Sequence, residues 1–217
     1  MRTWPQRFSW EWTIVVLIGT AALLGFAKVG ADVFTHKATS LDGAVQGWSL
    51  THQNSALHAV FLWITRIGGI MGMRVLALMS ALYLWFRGHR RVAAGVLVVP
   101  VVADFLFNGA KRIYARPRPL GLGAHVDSSY AFPSGHATVS AAVCCTLAYV
   151  LWREGLMSRW AALVLAVLVP LLVGVSRLYL NVHWATDVLG GWSAGLVVAA
   201  LSAMLYNHHR RRRASAR

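Results

Sequence analysis

Acid is scarce in this sequence: seven of its 217 residues are Asp or Glu, against 21 Lys and Arg. The seven are Glu11, Asp32, Asp42, Asp104, Asp127, Glu154 and Asp187, too few and too scattered for the carboxylate cage of a two-metal hydrolytic centre. No metal and no cofactor is expected. Cysteine is scarcer still. Cys144 and Cys145 are adjacent in an apolar stretch, which gives neither a disulfide framework nor the separated ligand pairs of a zinc site, so they are read as small packing residues. Internal repeats, low-complexity linkers and Pro/Gly/Ser-rich boundaries are also missing, so residues 1–217 are read as one domain.

Charge of either sign is thin, at 13% of residues, while 57% are hydrophobic, a balance that disfavours a water-soluble domain. Apolar runs lie at about 14–27, 75–86, 92–107, 139–152, 160–175 and 188–206. With their flanks, each approaches the roughly 20 residues that cross a bilayer as helix. Backbone groups in hydrocarbon must be satisfied within each segment, and the alternation of a lipid-facing barrel is absent. The expected fold class is therefore all-α: a polytopic membrane protein with six transmembrane helices. A soluble helical bundle is the alternative that six such runs disfavour.

The formal charge of +14 does not point to nucleic acid, because the cations lie between apolar runs instead of clustering on a soluble face. Orientation accounts for them better. Arg2 and Arg7 precede the first run, Arg87, Arg90 and Arg91 follow the second, Arg153 and Arg159 follow the fourth, and Arg210 to Arg213 with Arg217 follow the sixth. The positive-inside rule makes these segments and both termini cytoplasmic, with the first run an uncleaved anchor and 207–217 a basic cytoplasmic tail. Segments after the first, third and fifth runs then face outward. Lys111, Arg112, Arg116 and Arg118 break the rule there, which invites a functional reading.

The stretch 32–66 is too polar to span; Leu41, Val45, Trp48, Leu57, Val60 and Leu62 suggest short amphipathic helices at the outer interface, either a lid or a surface connection. Ten tryptophans, Trp4, Trp10, Trp12, Trp85, Trp152, Trp160, Trp184 and Trp192 among them, are read as interfacial anchors. Gly191 and Gly195 have the spacing of close helix contact, assigned to packing within one chain. Oligomeric state stays open.

Three clusters carry chemistry: Lys111 with Arg118-Pro119; Pro133-Ser134-Gly135-His136; and Ser176-Arg177 with His183 and Asp187 downstream. Counting spans brings all three to the outer face. Lys111, Arg118 and Arg177 are costly near a bilayer unless an anion pairs with them, and Arg and Lys together suit a phosphoryl group. Ser134 is an N-cap candidate for the fourth span, Gly135 allows close backbone approach, and free N–H groups at a helix start favour anions. His136 suits a general acid, since imidazole ordinarily titrates near neutral pH. His183 and Asp187, four residues apart, share a helix face, so the carboxylate can hold one ring nitrogen while the other attacks phosphorus. Asp104 and Asn108 lie at helical spacing from Lys111, either supporting it or bonding between helices. Tyr179 and Asn181 are candidate pocket residues.

These eleven positions resemble the motifs of the type 2 phosphatidic acid phosphatase (PAP2) superfamily, which includes bacterial lipid phosphatases and haloperoxidases. The motif core is 104–190, and the six-span layout extends the likeness over nearly the whole chain. The resemblance implies that Lys111, Arg118, Ser134, Gly135 and Arg177 hold phosphate, that His183 forms a phosphohistidine supported by Asp187, and that His136 protonates the leaving group. The expected function is hydrolysis of a membrane-lipid phosphomonoester or diphosphate at the extracytoplasmic face of a bacterial inner membrane. Phosphatidic acid, phosphatidylglycerol phosphate, undecaprenyl diphosphate and phosphorylated lipid A all fit. A lipid phosphotransferase and a non-catalytic binder or transporter are the alternatives. The partners are the bilayer and the lipid phosphate, with no nucleic acid.

Overall fold

The computed structural model describes residues 10–37, 39–119 and 130–215, with backbone alone at 39 and 213–215. Arg2, Trp4, Arg7, Asp127 and Arg217 lie outside the described residues. The described residues form eight helices: α1 Trp10–Phe34, α2 Thr39–Thr51, α3 Ser55–Ile67, α4 Ile70–Phe86, α5 Arg90–Tyr114, α6 Gly135–Arg153, α7 Arg159–Tyr179 and α8 Ala185–Ser215. No strand occurs among them. The protein is all-α, as its apolar runs require.

Helices α1, α5, α6, α7 and α8 are each long and apolar enough to cross a bilayer. The remaining span, second in chain order, differs from a simple helix. α4 alone is 17 residues long, and it joins α3 across a break with a bend of 46°. The Gly68-Gly69 pair sits at the bend, where a Cβ on Gly69 would come 2.6 Å from the Thr65 carbonyl and 3.0 Å from the His136 ring. Residues 55–66 thus belong to the bundle, with Asn54 capping α3 by accepting from the Ala56 and Leu57 N–H groups at 2.9 and 3.2 Å.

α6 is the central helix. Most of its residues are buried, and it packs against α4, α5, α7 and α8. The outer helices turn large apolar side chains outward: Leu17 and Leu24 on α1, Leu78 and Met79 on α4, Val101 and Phe105 on α5, Val164 and Val167 on α7. That much exposed apolar surface is what lipid as solvent permits.

Lipid gives helices no hydrophobic reason to associate, so close packing must do it. Gly191 and Gly195 supply it at α6–α8: a Cβ would lie 2.7 Å from the Ser134 carbonyl at the first, and 2.7 Å from the Ala141 Cβ at the second. Their small-residue spacing serves packing within the chain. Cys144 is buried with its Sγ 3.7 Å from the Met73 sulfur, and Cys145 donates to the Ala166 carbonyl. Trp192 departs from the interfacial pattern. It packs over Gly174 and donates to the carbonyl of Pro170 at 3.0 Å, taking up a helical carbonyl beside a proline.

The two ends of the bundle differ. One carries Arg153 paired with Glu11, His89 3.1 Å from Glu154, and the Tyr206 hydroxyl donating to Glu154 at 2.7 Å. Arg90 lies over Trp85, Arg159 over Trp160 and Arg211 over Trp12. Arg90, Arg153, Arg159 and Arg211 are among the arginines expected on the cytoplasmic side, and the tryptophans beside them lie near helix ends as interfacial anchors would. The opposite end gathers Lys111, His136, Arg177 and Asp187.

Replacing Gly195 by Val should lower the thermal midpoint of the detergent-purified protein or abolish its monodisperse peak, because overpacking costs about 1–3 kcal/mol. Gly109→Ala, where an added Cβ meets nothing within 4 Å, should leave the midpoint unchanged or raise it.

Candidate active site

Four helix termini converge here: the last turns of α5 and α7, carrying Lys111 and Arg177, and the first turns of α6 and α8, carrying His136 and Asp187. α5 stops at Ala115, whose left-handed backbone (φ 43°) returns its N–H to the Lys111 carbonyl at 2.9 Å. The Ser134 N–H donates to the Asp187 carbonyl at 2.9 Å, fastening the start of α6 to the start of α8. Between α7 and α8, Asn181 turns the chain at φ 50°, and the Val182 N–H closes onto the Arg177 carbonyl at 3.2 Å.

His183 and Asp187 are both buried, with Nδ1 3.4 Å from the Asp187 Oδ2 and Nε2 3.3 Å from an Arg118 nitrogen. The partners define the tautomer. Guanidinium can only donate and carboxylate can only accept, so the proton belongs on Nδ1 and the lone pair on Nε2. A nucleophilic imidazole requires that arrangement. Arg118 is itself held by the Val182 carbonyl at 2.7 Å.

Lys111 is buried and donates to the Tyr130 carbonyl, while Arg177 donates to the Thr65 hydroxyl at 2.8 Å. Ser134 is the N-cap residue of α6 by position, yet its side chain makes no capping bond. Its Oγ is buried and has no partner among the described residues, as is also true of the Asn181 Nδ2. Buried polar atoms without partners are rare. The space a Cβ would need at Gly135 is taken by the Phe107 ring, 2.9 Å away, so packing as well as backbone approach calls for glycine there. His136 is half-buried against Gly69 at the start of α4. All eight expected site residues lie at this end of the bundle.

Sequence reasoning flagged Arg116 only as a misplaced cation and gave Asp42 no role, yet both support the site. Arg116 donates to the Asp187 Oδ1 at 2.7 Å, to the Thr186 hydroxyl at 2.7 Å and to the Asp42 Oδ2 at 2.5 Å, and lies over the Trp184 ring. Asp42, on α2, is buried and also accepts from the Thr186 N–H at 2.9 Å. Asp187 additionally accepts from the Trp184 N–H at 2.9 Å. The rule-breaking Arg116 is therefore spent on two carboxylates. The available signal for Asp42 was the scarcity of acid: an aspartate kept in a segment lying against lipid needs a partner.

The segment 32–66 is more than a surface connection. Besides Asp42 and Thr65, Ser49 donates to the Leu178 and Tyr179 carbonyls at 3.0 Å, and Gln53 to the Tyr179 carbonyl at 2.9 Å. Tyr179 points toward this segment, donating to the His52 carbonyl at 2.9 Å with its ring 4.5 Å from that of Phe61. It is a clamp, not a pocket wall. Asp104 pairs with Arg74 of α4 and so joins two helices, while Asn108 bonds the Asp104 carbonyl one turn back within α5 at 2.8 Å. Among the described residues no three His, Cys, Asp or Glu side chains gather as a metal cage.

An all-helical membrane bundle with cations, two histidines and a buried aspartate at one end defines an integral membrane phosphatase. The sequence profile of the PAP2 superfamily matches residues 92–211, and the chain belongs to that superfamily. It is 32% identical over 180 residues to phosphatidylglycerophosphatase B of Bacillus subtilis, covering 81% of this chain and 88% of that protein. An undecaprenyl-diphosphatase of Sulfolobus acidocaldarius is 30% identical over 132 residues, 58% of this chain and 61% of that one. The crystal structure of a transmembrane PAP2-type phosphatidylglycerolphosphate phosphatase from Bacillus subtilis superposes with a TM-score of 0.74 at 28% identity, covering 88% of this chain and 96% of that one.

Removing one partner of a buried ion pair costs about 3–5 kcal/mol, so Arg116→Ala should destabilise the protein strongly in a thermal unfolding assay. Asp42→Asn keeps shape but removes a charge; it should lower kcat more than it raises KM, since it acts on Asp187 through Arg116 and not on bound substrate. An unchanged kcat would make Asp42 a packing residue only.

Proposed function

We propose that the protein hydrolyses the phosphomonoester or diphosphate of a membrane lipid through a phosphohistidine on His183, at the extracytoplasmic end of the bundle. The observation that carries the reading is the held imidazole: Nδ1 toward Asp187 and Nε2 toward Arg118. A binding protein needs cations and donors; it has no use for an oriented nucleophile.

In the first half-reaction the Nε2 lone pair attacks phosphorus in line, the P–N bond forms and the bond from phosphorus to the lipid oxygen breaks. His136 delivers its proton to that oxygen. Lys111, Arg118 and Arg177 neutralise charge on the non-bridging oxygens, and the unpartnered Ser134 hydroxyl suits a phosphate oxygen. In the second half, water attacks phosphorus, His136 takes the water proton, and the P–N bond breaks to release inorganic phosphate. The basic loops at the opposite end favour a cytoplasmic assignment for that end, which leaves the site on the outer side.

The tail would enter between helices from the bilayer. Phosphatidylglycerol phosphate is the first substrate to try, because the Bacillus subtilis relative and the solved structure that cover most of the chain bear that activity in their names. Undecaprenyl diphosphate is the second.

Phosphate release from both lipids and from phosphatidic acid, measured in detergent with chelator and without an added acceptor, tests the reading. Chelator-resistant release that disappears in His183→Ala and falls about 10²–10⁴-fold in His136→Ala is expected. No inorganic phosphate from folded protein, with dephosphorylated lipid and phosphorylated acceptor formed only when an acceptor alcohol is added, would make the enzyme a phosphotransferase. With p-nitrophenyl phosphate, whose leaving group needs no proton, His136→Ala should retain a burst of nitrophenol and then stall. Loss of the burst together with steady turnover would remove His136 from the acid role.

A further inference from the structure

At the end of the bundle away from the site, a groove of about 500 Å³ opens between α5 and α8, with Thr146 and Val150 of α6 as its floor. Its walls are aliphatic, formed by residues such as Val99 and Val102 of α5 and Leu201 of α8, and its rim is polar. At the rim an Arg91 nitrogen stands 3.5 Å from the His209 Nε2, bridging the two helices. From Arg91 to Val102 an α-helix rises about 16 Å, close to the roughly 15 Å depth of one leaflet's hydrocarbon. The groove therefore reaches from a headgroup-level cation to the bilayer midplane.

We infer that this groove is a binding site for an anionic phospholipid of the cytoplasmic-side leaflet, one acyl chain lying along α5 and α8 and the phosphate against Arg91 and His209. Charge selects the occupant. The acid nearest the rim, Glu154, is already engaged by His89 and by the Tyr206 hydroxyl, whereas Arg90 and Arg210 add cations at the same end. A zwitterionic headgroup would bring its own cation to that field and gain less. α5 and α8 carry Lys111 and Asp187 at their far ends, so a lipid wedged between them stabilises the two helices that frame the site by binding only the folded arrangement. The inference does not depend on which lipid phosphate is hydrolysed.

Gly95 supplies a precise probe. It lines the groove, and a Cβ there meets no heavy atom within 4 Å, so Gly95→Phe should fill the groove without displacing a helix. The experiment is thermal unfolding of the detergent-purified full chain titrated with dioleoylphosphatidylglycerol or dioleoylphosphatidylcholine, with native mass spectrometry of retained lipid. Dioleoylphosphatidylglycerol should raise the midpoint by about 5 °C more than dioleoylphosphatidylcholine does, and one molecule should stay bound. That increment and that adduct should vanish in both Arg91→Ala and Gly95→Phe, while phosphate release by the two variants remains at the unmodified rate. Equal shifts from the two lipids would overturn the site, as would an anionic-lipid increment that survives Arg91→Ala, a change at an exposed side chain that keeps the test open even where Gly95→Phe does not fold.

Discussion

Everything at the reactive end depends on one half-buried cation between two buried carboxylates. Arg116 holds Asp187 on α8 and Asp42 on α2 at the same time, and Asp187 in turn faces the His183 Nδ1. Buried charges of this kind are tolerated only when paired and hydrogen-bonded. Here the spare lone pairs are met by the Thr186 hydroxyl, the Thr186 N–H and the Trp184 N–H. The His183 ring is thereby fixed from behind by a network that reaches a helix 144 residues earlier in the chain. The Nε2 side of the ring is left facing Arg118.

The bundle supports that network by close packing. α6 and α8 approach until the Gly191 backbone rests against the Ser134 carbonyl, and the Ser134 N–H bonds back to Asp187. Helix packing and site geometry are one constraint: the glycine that lets α8 approach α6 also sets the distance between the Ser134 loop and the His183 turn. The reach of α2 and α3 extends this. Thr65 meets Arg177 and Asp42 meets Arg116, so two of the four arginines and lysines nearest the site are positioned by the segment preceding the motifs.

The spans and the motif residues were legible in the sequence because each has a local signature: an apolar run, a helical spacing, a cation where topology expects few. Gly191 and Gly195 were legible for the same reason. Asp42 and Arg116 were not. Their pairing joins positions 74 residues apart, and no local period records it; Arg116 stood out only as one of four cations where topology expects few. The bend at Gly68-Gly69 was hidden too, because apolar periodicity on either side of a kink resembles a short span preceded by an amphipathic helix. Trp192 misled by composition: a tryptophan near a helix start resembles an interfacial anchor, while its indole N–H in fact meets the Pro170 carbonyl inside the bundle. Ser134 occupied the helix-start position anticipated for it, but its hydroxyl is kept from capping, a detail of rotamer that spacing does not encode.

The central claim is that His183, held by Asp187, becomes covalently phosphorylated. The stereochemical course at phosphorus tests it most directly: a lipid phosphorothioate made chiral with oxygen isotopes is hydrolysed in isotopic water and the configuration of the released thiophosphate is read. Two successive in-line displacements, on and off His183, predict net retention. Net inversion would mean that water attacks the lipid phosphate in a single step, and His183 would then be a base or an electrostatic partner instead of the nucleophile.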